Sequence, residues 1–253
     1  MLNTTVYCLT HGPRWQFLRD FLEAFEQNAL METRLVIGVQ EPHESMQVWL
    51  RTQEVTKSLP ENTIIKVYAD NTGLNRYPQL IEEFGEDDQL AIDTDDDSLF
   101  PRGAELLFER VLKDERFGWV GLNPIGSPIL KRPNGNKWDI DGLTIIEAAV
   151  GGGLAATRKD VYDKVGGFGI GRTIFDPEDA RYQRICVAMG YRCGIIEGKD
   201  YEHHGGWNWH IKYGTVLSRM DSLHAALVAG FISEETYRAM LMEYKAALEV
   251  YNG

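Results

Sequence analysis

Apolar residues recur with two different periods along the first half of the chain. Short runs rich in β-branched side chains predict strands over Thr5–Leu9, Leu35–Val39, Thr63–Ala69 and Gln89–Thr94. Between the first two runs, Leu18, Phe21, Leu22 and Phe25 fall at i, i+3, i+4 and i+7, and Ala104, Leu107, Phe108 and Val111 repeat the pattern after the fourth. That spacing puts one apolar stripe on each helix, a packing face to which no chemistry is assigned. Strand and helix alternate, so an α/β fold is expected, with a mainly parallel central sheet flanked by helices.

From Gly118 to Ala156 the helical period disappears and Gly, Pro and Asn become frequent, with Pro133-Asn134-Gly135-Asn136 offering a turn between extended segments. A helix over Arg158–Val165, a Gly-rich turn, a helix over Pro177–Met189 and a strand over Tyr191–Ile196 follow. Two more helices are predicted over Tyr213–Ala229 and Glu234–Tyr251, with Gly230 ending one and Ser233 capping the next. We therefore expect one compact domain over residues 1–210 and a helical extension over 211–253 packed on it, which braces the sheet, covers a site or forms a dimer contact.

Composition narrows the function classes. The 253 residues carry 26 Lys and Arg against 38 Asp and Glu, a formal charge of -12, so no global positive field gathers nucleic acid. No apolar run approaches the length of a membrane span, and the N-terminus lacks the basic start and apolar stretch of a signal peptide. Cys8, Cys186 and Cys193 form no CxxC pair and cannot all be bridged within one chain, which fits a reducing compartment. The expectation is a cytoplasmic protein with no membrane partner. The sequon at Asn3 is then an accident of composition.

The most informative stretch is Leu90-Ala91-Ile92-Asp93-Thr94-Asp95-Asp96-Asp97, an apolar strand running directly into crowded carboxylates. If the extended geometry persists, Asp93, Asp95 and Asp97 share one face and Asp96 takes the other, and the like charges raise one another's pKa values. A divalent cation relieves that repulsion. Oxygen ligands at the carboxyl end of a parallel strand suit Mn2+ or Mg2+ holding a diphosphate. The competing reading is a solvated acidic loop leading into the helix near Pro101. The Gly and distal Glu of an EF-hand are missing.

Four ordered blocks carry a family resemblance. Asp95-Asp96-Asp97 followed by Pro101 and a helix is similar to the DxD element of GT-A fold glycosyltransferases, especially the inverting family 2. Asp70-Asn71-Thr72-Gly73-Leu74-Asn75-Arg76, after the third strand, resembles the segment that passes the nucleotide diphosphate. Gly151-Gly152-Gly153 through Arg158, then Val165-Gly166-Gly167-Phe168, resembles the block that precedes the catalytic helix. Glu178-Asp179, Arg184 and Gly190-Tyr191 resemble the "ED…R…GY" signature.

The resemblance implies a metal-dependent transfer of sugar from a nucleoside-diphosphate sugar, UDP-sugar by family default, to an acceptor hydroxyl with inversion. Asp95 would contact ribose or metal, Asp97 would ligate the metal, Asp93 would support them and Asp96 would belong to the donor site. Asp179 would be the base, with Glu178 on acceptor or metal-site water; the same residues also make a good helix start. A histidine near the last strand completes such metal sites. His203 and His204 are adjacent and cannot both face inward from extended chain, so the choice between them stays open.

Thr10, Asp70 and Asn71 lie at strand ends suited to the nucleotide. Gly152 and Gly153 would let backbone approach the donor, or simply form a bulge. Arg76, Arg158 and Lys212 are candidates for balancing diphosphate charge, or are ordinary surface cations. Trp207 and Trp209 would stack on the acceptor, or anchor their loop to the core. The chain departs from the family after the second strand, where Gln40-Glu41-Pro42 stands in place of an Asp pair, which puts base identity in doubt.

Rival readings are weaker. A sugar nucleotidyltransferase needs a Gly-rich loop after the first strand, and Cys8–Arg14 holds one Gly; P-loop and Rossmann fingerprints are absent. A nucleotide-sugar-binding protein without turnover is a further alternative. The acceptor is open across glycans and other hydroxyl compounds, including a hydroxymethylated DNA base, for which the locally basic loop Leu130–Trp138 is a possible contact.

Overall fold

The computed structural model describes residues 3–30, 32–56, 58–125, 135–151, 153–168, 178–228 and 233–252. Its strands are β1 (Thr4–His11), β2 (Arg34–Gln40), β3 (Thr63–Tyr68), β4 (Leu90–Asp95), β5 (Phe117–Pro124), β6 (Lys137–Ile140), β7 (Leu143–Glu147), β8 (Leu154–Arg158) and β9 (Arg192–Tyr201). The helices are α1 (Trp15–Asn28), α2 (Glu44–Thr56), α3 (Arg76–Phe84), α4 (Ala104–Leu112), α5 (Lys159–Val165), α6 (Glu178–Ala188), α7 (Trp207–Lys212), α8 (Val216–Val228) and α9 (Glu234–Asn252).

Among the described residues the strands form one sheet in the order β3-β2-β1-β4-β8-β5-β9-β7-β6. The β1–β4 half is parallel, as expected from the intervening helices. The other half is mixed: β8 runs antiparallel to both β4 and β5, and the β6–β7 hairpin runs antiparallel onto β9. The cause is the loss of helical period after Gly118. Among the described residues no helix stands between β5 and β8, and β7 and β8 enter the sheet against the direction of their neighbours.

Period 2 in the strands divides the core. Val6 and Cys8 face a cluster built with α1, α2 and α4, whereas Tyr7 and Leu9 face another built with α3, α5 and α6. Phe21 and Phe25 of α1 carry the predicted stripe into the first cluster. Around Phe168, the rings of Tyr162, Trp119 and Tyr182 pack edge-on with centroids 5.2, 5.6 and 5.0 Å away.

The helix predicted over Tyr213–Ala229 is α8, Val216–Val228, and a short helix that was not predicted, α7, precedes it. Gly214, with φ of 68°, turns the chain between α7 and α8, a left-handed conformation that favours glycine. α7 is fastened to α1: Phe17 lies 5.1 Å from the His210 ring and 5.0 Å from Tyr213, and the Tyr213 hydroxyl donates to the Asp20 carboxylate. No helix among the described residues is long and apolar enough to cross a membrane.

Candidate active site

The parallel strands β1, β2 and β4 end at one rim of the sheet, where ligands of open α/β folds are received. A cleft of about 250 Å3 opens there. Its walls are Leu9 and His11 at the end of β1, Gln40 at the end of β2, Asn71, Gly73 and Leu74 after β3, and Asp95, Asp96 and Asp97 after β4. Arg14 and Arg219 complete it.

The strand does not stay extended through the acidic run. It stops at Asp95, and the Ser98 N–H donates to the Asp95 carbonyl at 3.2 Å, closing a turn over Asp96 and Asp97. The three carboxylates then have different surroundings. Asp96 is buried and accepts from Thr10 Oγ1 at 2.5 Å and from Arg14 Nε at 3.0 and 2.9 Å and Nη2 at 2.5 Å. Thr10 and Asp96, both expected at the donor, thus bond to each other and hold the turn onto β1. Arg14, which sequence reasoning missed, also donates to Asp97 Oδ2 at 2.8 Å.

Replacing Arg14 by Met leaves the Asp96 carboxylate without its cation in a site of 2% exposure. Breaking such a pair costs about 3–5 kcal/mol, so calorimetry of Arg14→Met is expected to show melting lowered by about 10 °C, partly recovered by adding Asp96→Asn. A drop of less than about 3 °C would show that Asp96 is not anchored this way.

Asp95 and Asp97 remain. Burial first, then the Asp97 charge, pushes the Asp95 carboxyl up to about 7. Burial also opposes ionisation of Asp97, but Arg14 and His203 outweigh it and hold this carboxyl far below the usual range. Asp97 Oδ1 is buried without a hydrogen bond, and His203 Nε2 stands 3.2 Å from it. Burial lowers the His203 pKa, but contact with Asp97 carries it above its ordinary value.

Among the described residues no three His, Cys, Asp or Glu side chains form a closed metal-binding group. Mg2+-like cations take one or two carboxylates from a protein and complete their shell with water and substrate phosphates. Asp95 and the unbonded oxygen of Asp97 fit that partial set.

Tertiary structure also separates the two histidines. Ser98 pairs with His203 in an antiparallel bridge, Leu99 N–H donates to the Glu202 carbonyl at 2.8 Å and His204 N–H to the Asp97 carbonyl at 2.6 Å. Alternation along this ladder turns His203 toward Asp97 and His204 away. The His204 ring stacks on Trp209 at 3.5 Å between centroids, with Nε2 2.9 Å from Glu202 Oε1. His204, Trp209 and Lys212 line a second cleft, of about 550 Å3, which shares no wall residue with the first. Lys212 lies over the Trp209 ring at 4.2 Å. His204, Trp209 and Lys212 thus stand on the wall of the second cleft, and of the two adjacent histidines it is His203 that lies beside Asp97.

Other expected cations are engaged elsewhere. Arg76 donates to Asp70 Oδ1 at 2.8 Å and Gln79 Oε1 at 2.5 Å and lies 4.0 Å above the Tyr68 ring. Arg158 pairs with Leu90 across the sheet, at the far end of β4 from Asp95, and donates to Asp160. Asn71 lines the cleft while its Oδ1 accepts from the Gly73 N–H at 2.8 Å. Gln40, standing where an acid was expected, accepts from the Thr72 N–H at 3.0 Å and donates to the Gly73 carbonyl at 3.1 Å, so it shapes the Asn71–Gly73 wall.

The Gly153 carbonyl accepts from the Asp95 N–H at 3.4 Å and Thr94 Oγ1 at 3.1 Å. A Cβ on Gly153 would meet the Tyr201 hydroxyl at 2.3 Å, so close packing behind the acidic turn requires this glycine. Three residues earlier, Val150 N–H donates to Gln183 Oε1 at 2.9 Å and its carbonyl accepts from Gln183 Nε2 at 2.5 Å, tying α6 to the same segment. Asp179 is one turn N-terminal of Gln183 on that helix face, and its Oδ1 accepts from the Ala180 N–H at 2.6 Å.

Gly152, Asp176 and Pro177 lie outside the described residues, as do positions 130–134 of the basic loop; Glu178 and Trp207 are described in their backbone alone. At the described end of that segment, in β6, Lys137 pairs with Glu197 at 2.6 Å, and Trp138 has Arg116 and Arg192 4.7 and 4.0 Å from its ring.

No protein-family model and no curated protein matches the sequence. Solved structures do match. A mannosyltransferase from Pyrobaculum calidifontis, in complex with GDP-Man and Mn2+, is similar at TM-score 0.59 and 15% identity, over 99% of this chain and 81% of that one. GalNAc-T7 with UDP, GalNAc and Mn2+ is similar at TM-score 0.58 and 11% identity, over 80% of this chain and 43% of that one. S. aureus TarS 1-349 is similar at TM-score 0.55 and 11% identity, over 97% and 71%. At such identities the likeness lies in the fold: the chain has the GT-A fold of glycosyltransferases.

Proposed function

We propose that the protein is a metal-dependent glycosyltransferase that moves a sugar from a nucleoside-diphosphate sugar, UDP-sugar by preference, to an acceptor hydroxyl with inversion. The observation that carries this reading is the pair Asp95 and Asp97 at the mouth of the parallel strands, with a buried Asp97 oxygen left unbonded and His203 beside it. Mn2+ is present in two of the similar structures and is the favoured ion, with Mg2+ of the same oxygen-seeking class.

Asp95 and Asp97 would hold this ion, which when bound supplies Lewis-acid stabilisation of the departing diphosphate. The remaining steps fall to the chain. The Asn71–Leu74 wall receives the nucleotide, and Arg14 keeps the acidic turn rigid so that the carboxylates are placed before the donor arrives. Asp179 accepts the proton of the acceptor hydroxyl while that oxygen attacks the anomeric carbon opposite the leaving group. Residues 211–253 form an extension packed on the domain through α7.

The test is a thermal-shift screen of UDP, GDP, ADP and their sugar conjugates, with and without Mn2+. One nucleotide is expected to raise the melting temperature only when Mn2+ is present, by an amount set by its concentration over its Kd. Folded protein that responds to none of them would overturn the donor site.

A further inference from the structure

The charges of the cleft do not balance with the residues that sequence reasoning assigned to it. Two carboxylates, Asp95 and Asp97, and a diphosphate together exceed what one divalent cation neutralises. Arg14 is the nearest guanidinium, but its Nε and Nη2 are bonded to Asp96 and Asp97. Arg76 is paired with Asp70, Arg158 is at the opposite end of the sheet and Lys212 is in the other cleft.

One cation remains on the cleft wall. Arg219, in the first turn of α8, lines it beside Asp95 and Asp97. Among the described residues its guanidinium makes no salt bridge or hydrogen bond, although the side chain is largely enclosed. Burial, the largest influence, pulls its pKa below the ordinary arginine value, and neighbouring Arg14 adds to this against the opposing charges of Asp97 and Glu243. An enclosed guanidinium without a bonded anion is an unfavourable arrangement that an anionic ligand relieves.

Its position is built. The Thr215 N–H donates to the His210 carbonyl at 2.9 Å, Thr215 Oγ1 lies 2.9 Å from His210 Nδ1, and the Arg219 N–H donates to the Thr215 carbonyl at 3.1 Å. Since α7 is packed on α1, the break at Gly214 directs the start of α8 back over the cleft.

We propose that Arg219 binds the diphosphate of the donor and stays on it as the sugar departs, so that the C-terminal helices complete the donor site. This rests on the glycosyltransferase reading given above. A planar guanidinium can hold two phosphate oxygens at once, which Lys cannot.

The test compares the parent protein with Arg219→Met and Arg219→Lys by calorimetric titration with UDP, GDP and inorganic pyrophosphate in Mn2+, and with Mn2+ alone. Arg219→Met is expected to weaken pyrophosphate and nucleoside diphosphate binding about 10- to 100-fold, with Arg219→Lys in between. Affinity for Mn2+ alone should not fall, and the Met variant should melt no lower than the parent, because an enclosed charge has been removed. Equal diphosphate affinity in parent and Met variant overturns the proposal, as does an equal loss for Mn2+ alone, which would place Arg219 behind the acidic turn. A parent that binds none of these anions overturns the donor reading itself.

Discussion

Asp97→Asn is expected to abolish Mn2+-dependent binding of nucleoside diphosphates while leaving the protein folded. Asn keeps the shape of the side chain and an oxygen for Arg14 Nη2, now 2.8 Å from Asp97 Oδ2, so the Arg14–Asp96 anchor survives. The charge on the oxygen beside His203 is lost. Removing one hard anionic ligand from a site with only two protein carboxylates should weaken manganese-nucleotide binding at least about 100-fold. Because the Asp97 charge helps push Asp95 up to about 7, its removal also relieves repulsion in the metal-free protein. Loss of the charge that Arg14 and His203 stabilise outweighs that relief, so the variant should melt somewhat lower than the parent without metal, remain folded, and lose the Mn2+-dependent rise. Calorimetric titration alongside melting curves reads both effects, and undiminished binding would remove Asp97 from the metal site.

Asp179→Asn should do the reverse: nucleotide binding unchanged, transfer lost. Asp179 stands in the first turn of α6, away from the wall of the carboxylate cleft, and Asn preserves an acceptor for the Ala180 N–H. A helix start tied by Gln183 to the Val150 backbone is a rigid mount for a base. Loss of a general base costs about 10²- to 10⁴-fold in turnover. Release of nucleoside diphosphate from the donor, with water or an added glycan as acceptor, measures it together with the Kd for the manganese-nucleotide. Near-parental turnover in the Asn variant would show that another group takes the proton.

The fate of the acidic run shows how far local pattern reaches. Alternation and β-branched content mark β4 to within a residue, and they place carboxylates at its end. The turn closed by Ser98 N–H is not local in its cause: it is held by Arg14, 82 residues from Asp96, and by Thr10 on β1. A lone Arg after Gly12-Pro13 carries no sequence signal of that partnership. Arg219 is equally silent, an ordinary polar position on a helix until topology brings it to the cleft.

Sequence alone determined the four strands of the parallel half, the two helical core stripes, the acidic strand end and the ordered blocks that resemble GT-A glycosyltransferases, because periodicity and strand-end chemistry are properties of neighbouring residues. Tertiary structure decided what depends on distant segments meeting. It set the antiparallel entry of β8 beside β4, the turning of His203 toward Asp97 and His204 away, the pairing of Asp96 with Arg14, and the placement of Arg219 where Lys212 had been expected. Charges act through space, and which of them become neighbours is settled only when the sheet order and the C-terminal helices are in place.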